Sequence, residues 1–145
     1  MARTFFMARY EQAALTLLRV GTALMLLQHG VQKLFGWLGG FGPTGSKVPL
    51  VSQLGLAGVL ELTCGTLVAI GLFTRPASFI LSGMLAVGYF QMHAPHGFFP
   101  ATNYGEQAAV YCFIFFYLSA RGAGPYSVDG VLARRRGAPQ LDFAR

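Results

Sequence analysis

Four apolar runs, at residues 13–38, 54–73, 77–92 and 107–120, constrain this chain more than any other feature, because no proline falls inside them. Pro43 and Pro49 lie between the first two runs, Pro76 opens the third, Pro95 and Pro100 separate the third from the fourth, and Pro125 and Pro139 follow. Proline lacks the amide that a helix needs, so it belongs at a helix start or between helices. In lipid the constraint is stricter, because no water satisfies an orphaned backbone group. Roughly 20 apolar residues cross a bilayer core as a helix, and the last two runs reach that length with their flanks. Only 11% of the residues are charged, against about 25% in an ordinary soluble domain, too few to cover a compact body with polar surface. The expected fold class is all-α: an integral membrane four-helix bundle, with a transmembrane domain at 1–133 and a basic cytoplasmic tail at 134–145. The first run is too long for a secretory signal, carries Arg19, and leads into QHGVQKLFGWLGG with no small-residue cleavage site, so it is expected to be retained.

Cations set the expected orientation. Arg3, Arg9, Arg75, Arg121, Arg134, Arg135, Arg136 and Arg145 fall on one side of such a hairpin pair, while Lys33 and Lys47 lie toward the other. The basic side is expected to be cytoplasmic, with both termini. The loop HAPHGFFPATNYGE, free of lysine and arginine, then faces outward. The net charge of +6 is accounted for by this topology and by an RRRG cluster beside anionic head groups, so no nucleic-acid partner is implied.

Each run also carries polar residues that lipid would reject. Arg19, Thr22, Leu26, His29 and Lys33 recur at steps of three or four and share one helical face. Gly58, Glu61 and Gly65 form a second stripe, with Cys64 beside it. Ser78, Ser82, Ala86, Tyr89, His93 and, if the helix reaches that far, His96 form a third, and Glu106 with Gln107 opens the fourth run. These faces are expected to meet inside the bundle. Glu61 lies roughly 12 Å from either end of its run at 1.5 Å per residue. A charge there costs on the order of 2.5–3.5 kcal/mol, so Glu61 is expected to be protonated or paired.

Each candidate has a structural and a chemical reading. Glu61 either forms an ion pair with Lys33 or Arg19 that fixes helix order, or serves as a proton acceptor or ligand-binding carboxylate. His29 is either a satisfied interior histidine or a site residue. His93 and His96 flank a proline at the interface, where surface histidines are ordinary. Glu106 suits a helix N-terminus through the helix dipole, and Arg19 is expected to snorkel to the cytoplasmic head groups. Tyr89 and Tyr111 suit interior packing. Cys64 and Cys112 are isolated and outside the outward loops, which disfavours thiol–disulfide exchange. No Ser-His-Asp set, His-Glu-x-x-His helix or dinucleotide fingerprint stands in the chain, and no metal site is expected.

The run RVGTALMLLQHGVQKLFG resembles the first helix of the DoxX family of small membrane proteins. GLAGVLELTCGTLVAIGLFTRPAS is similar to the family through Glu61, Gly65, Gly71-Leu72 and Thr74-Arg75, and HGFFPATNYGEQAAVY through Gly97, Phe98, Gly105 and Glu106. GAGPYSVDG resembles its closing Gly-x-Gly and Ser-x-Asp segment, so the resemblance runs from about Glu11 to Leu132. It implies a four-helix, multi-pass protein of the bacterial inner membrane, and for some relatives a place in quinone-linked oxidoreductases.

The first functional expectation is therefore a quinone-interacting membrane subunit of an oxidoreductase. His29, Lys33 and Glu61 are the candidate catalytic residues, polarising a carbonyl and exchanging protons; Glu106, His93, His96 and Tyr89 are the candidate cofactor contacts. A second, redox protein would then have to hold the primary electron source, since no flavin, iron–sulfur or dinucleotide motif stands in this chain. The expected partners are the lipid bilayer and that redox protein or further copies of the chain. The second expectation is a non-catalytic anchor or assembly subunit of a redox complex. The third is a b-haem subunit with axial ligands from His29 and from His93 or His96.

Overall fold

A computed structural model describes the backbone of residues 2–136 and the side chains of residues 9–136, and it is all-helical, with no strand among the described residues. The order is α1 (Ala2–Phe35), α2 (Gln53–Ile70), α3 (Thr74–Gly88), a π turn (Tyr89–His93), a 3-10 turn (Ala94–His96), a one-turn α4 (Pro100–Asn103), α5 (Glu106–Arg121) and α6 (Val128–Arg135). Two segments, Arg9–Phe35 of α1 and Gln53–Ile70, are long and apolar enough to cross a membrane. The third helical path is longer than α3 alone, because the π and 3-10 turns carry it on through residue 96. Helix α6 crosses the expected boundary at residue 133, and the tail beyond residue 136, with Pro139 and Arg145, lies outside the described residues.

Helix ends follow local chemistry. The Ser52 hydroxyl accepts from the Gly55 amide at 3.0 Å and starts α2. Gly71 ends it in the left-handed region at φ 73°, with the Leu72 amide donating to the Leu67 carbonyl at 2.9 Å. Helix α3 has no cap of its own. Instead the Asp129 carboxylate accepts from the amides of Phe73 and Thr74, both at 3.0 Å. Ser127 in turn caps α6 by accepting from the Gly130 amide, and the Asp129 amide donates to the Gly71 carbonyl at 2.8 Å. The Ser-x-Asp segment thus ties the last helix to the α2–α3 turn.

Helix α1 packs along α2, α3 along α5, and α2 against α3, with a lighter contact between α1 and α5. The α1–α2 contact is close because Gly30 has no side chain: a Cβ there would stand 2.9 Å from Leu62 Cγ and 3.1 Å from the Gly58 carbonyl oxygen. Gly30→Val should therefore cost about 2 kcal/mol by overpacking. Gly21→Val, where a Cβ would meet nothing within 4 Å, should stay within about 0.5 kcal/mol of the wild type. Reversible unfolding in mixed micelles separates the two; equal effects would show that the contact tolerates bulk.

Polarity is distributed inside out. Leu26, Val68, Leu81, Phe115 and Leu118 form an interior that also encloses Arg19, Lys33, Glu61, Thr74, Ser78 and Ser82. Leu17, Leu24, Met25, Leu56, Phe79, Ile80, Val87, Phe113 and Phe116 face outward. A largely apolar exterior around buried charge suits lipid as the solvent.

Candidate functional site

The inward stripe of α1 and the stripe of α2 meet at Lys33 and Glu61. Lys33 Nζ donates to both Glu61 oxygens, at 2.6 and 2.8 Å, and the two residues are only 7% and 4% exposed. Each charge is therefore neutralised by the other out of solvent. Loop 36–52 folds back over this end: the Val48 amide donates to the Lys33 carbonyl at 2.8 Å, and the Phe41 ring lies 5.4 Å from Nζ. Loop and helices line an open cavity of about 380 Å³.

Lys33, Glu61, His29 and His93 all line that cavity, so the first three helical paths contribute one or two of these groups each. Leu26, Leu54, Met84, Leu85 and Met92 supply most of its apolar wall. The Gln107 amide lies 3.2 Å from His29 Nε2 across the cavity. An amide nitrogen can only donate, so His29 Nε2 accepts. His93 Nδ1 stands 3.1 Å from the Asn103 carbonyl, which can only accept, so this nitrogen carries the proton and Nε2 of the neutral ring is left as an acceptor.

Three expected contacts lie elsewhere. Tyr89 is buried outside the cavity lining, its hydroxyl donating to the Phe98 carbonyl and its ring stacked 6.1 Å from His93. His96 is exposed at the end of the 3-10 turn, because the π turn inserts a residue and shifts the phase of everything after it. Glu106 is exposed in the first turn of α5, where the helix dipole favours a carboxylate, and it is not part of the cavity lining. Arg19 corrects the expectation of snorkelling. It is 1% exposed and forks onto the Val68 and Ala69 carbonyls, both at 2.6 Å, and the Tyr126 carbonyl at 2.9 Å. The orphan carbonyls at the end of α2 need donors, and a cation suits that negative helix end.

Asn103, Tyr104, Phe41 and Gln107 also shape the site. Asn103 is 3% exposed and donates to the Gly97 carbonyl at 2.6 Å while accepting from the Gly105 amide at 2.8 Å. It thereby folds the 97–105 segment into the shape that orients His93. The only sequence sign was an asparagine within a loop rich in proline and glycine, which marks a turn rather than a site.

The DoxX family model matches residues 14–94, more than half of the chain. The chain belongs to the DoxX family. The matched span holds His29, Lys33, Glu61 and His93 but stops short of Asn103 and Gln107, so it covers the charged core of this DoxX site and not the α5 side of it. An uncharacterised protein of Haemophilus influenzae is 39% identical over 128 residues, which cover 83% of this chain and 92% of that protein. No solved structure matches this DoxX chain.

Proposed function

We propose that this DoxX protein is a multi-pass, four-helix protein of the bacterial inner membrane whose cavity receives the head group of a membrane quinone for a partner oxidoreductase. The observation that carries the reading is the cavity itself: a mostly apolar space whose polar groups include a buried Lys33–Glu61 pair flanked by His29, His93 and Gln107. Its volume of about 380 Å³ falls in the range of small-molecule sites, which pair apolar walls with a few placed polar groups. Arg75, which donates to the Ala120 carbonyl, and Arg121, which pairs with Glu11, gather at the end opposite Lys33. That end is read as cytoplasmic, so the cavity lies toward the outer surface.

A bound quinone supplies a two-electron, two-proton acceptor. Lys33 has three N–H donors, and with Glu61 engaging it through both oxygens one N–H is left for a carbonyl of the head group. His29 would hold the head group in register with Gln107, and His93 Nε2 would accept a hydroxyl proton on the opposite side. Glu61 would keep the ammonium charged in an apolar chamber. Electrons come from the partner.

The self-sufficiency of the Lys33–Glu61 pair supports a second reading, a membrane anchor or assembly subunit in which the pair only fixes helix order. A b-haem reading has less support, since Gln107 engages His29 Nε2 and His96 stands outside the cavity. Denaturing extraction and mass spectrometry of protein purified in mild detergent separates these readings. We expect quinone near one per chain. His29→Ala and Glu61→Gln should weaken binding about ten-fold or more, as for the loss of a hydrogen bond to a charged group. Phospholipid alone, with no response to added quinone, would favour the anchor; haem would assign His29 or His93 to iron.

A further inference from the structure

A groove of about 410 Å³ lies beside the polar cavity, on the outer face of the α2–α3 contact. At one end Gln53, at the start of α2, hydrogen-bonds to Gln91 in the π turn. The rest is apolar, and Leu56, Ile80 and Val87 along it stand 58%, 44% and 50% exposed. Leu54, Ala57, Met84, Gly88 and Met92 line both this groove and the polar cavity, so the two spaces share one wall.

Two glycines keep this region open. A Cβ at Gly83 or Gly88 would meet no atom within 4 Å. At Gly30 a neighbouring helix explains the missing side chain; at these two positions no neighbour does. Gly88 lies in the shared wall and Gly83 further along the groove. The absence of side chains leaves open space at Gly88, in the wall shared with the polar cavity, and at Gly83, further along the groove.

We propose that the α2–α3 groove seats the isoprenoid tail of the quinone whose head group occupies the polar cavity. The inference rests on the quinone reading above and adds the route of the tail. The Gln53–Gln91 bond closes the outer end, so the tail runs toward Gly83 and Leu60 at the middle of the two helices. A phospholipid acyl chain has the same chemistry as the tail. Only the quinone tail is tethered to a head group in the cavity, and that tether makes the source testable.

The test compares two quinones with the same head group, one bearing a single prenyl unit and one bearing four. Affinities are measured on the full chain in phospholipid nanodiscs and expressed per mole fraction in the bilayer. The four-unit quinone should bind about three- to ten-fold tighter, a modest ratio because the tail leaves lipid as apolar as the groove and gains only packing. Gly83→Leu, which fills the groove away from the polar cavity, should bring that ratio to about one while single-unit binding is unchanged. Val87→Phe, at a half-exposed position, provides a second block. Single-unit binding kept in both variants also reports that they fold. A ratio that persists in both variants overturns the groove and leaves the head-group site standing, as does a wild-type ratio of one, the result for a groove filled by phospholipid. Failure of the wild type to bind either quinone removes the head-group reading, and the groove assignment with it.

Discussion

Replacing Lys33 with methionine should lower the stability of the protein by about 3–5 kcal/mol, because Glu61 is then left in the interior without its counter-charge. Glu61→Leu should cost a similar amount by stranding the ammonium. The double substitution Lys33→Met/Glu61→Leu should return to within about 1 kcal/mol of the wild type or exceed it, since two apolar residues remove the desolvation penalty along with the attraction. The geometry makes the pair suitable for this cycle: both oxygens of Glu61 engage Nζ, at 2.6 and 2.8 Å, and solvent reaches neither residue appreciably. Unfolding in mixed micelles gives the three differences. Additive single effects would mean that the pair contributes no coupling. On the proposed quinone reading, the double variant should regain stability but keep quinone binding weakened about ten-fold or more, which would separate a role of the pair in folding from one in the cavity.

The second large effect is expected at Arg19. Arg19→Met should cost about 3 kcal/mol or more, since three carbonyl acceptors lose charge-assisted partners at once. One of them, Tyr126, belongs to the segment leading into α6, and the others end α2. Trypsin should therefore cut at Arg134 and Arg135 faster in the variant. Arg19→Lys should recover only part of the loss, because an ammonium lacks the planar fork that spans three carbonyls. Wild-type cleavage in Arg19→Met would show that Asp129, through its bonds to Phe73 and Thr74, holds α6 by itself.

Helical spacing made much of this site legible. Arg19, His29 and Lys33 fall on one face by their three- and four-residue steps, and Glu61 stands at the depth where an unpaired charge is costly. What spacing does not carry is the partner of each group. Glu61 lies within reach of either Lys33 or Arg19 on sequence grounds, and the axial offset of α1 against α2 selects Lys33 and sends Arg19 to the end of α2. The histidine stripe of α3 failed at His96 for a related reason: Pro95 announced a break, but the π turn before it rotated everything that followed. Asn103 was not legible at all, since its hydrogen bonds reach Gly97, Gly105 and Tyr89, contacts made only when the loop closes.

By itself, the sequence determined that long apolar segments would be helical and that their polar residues would turn inward, because backbone hydrogen bonding and charge desolvation act on each segment alone. Only the tertiary structure decided which polar groups meet. Each residue along a helix turns its side chain by about 100° and advances it by about 1.5 Å. Pairing therefore depends on how neighbouring helices are rotated and offset, and close contacts such as the one at Gly30 set both.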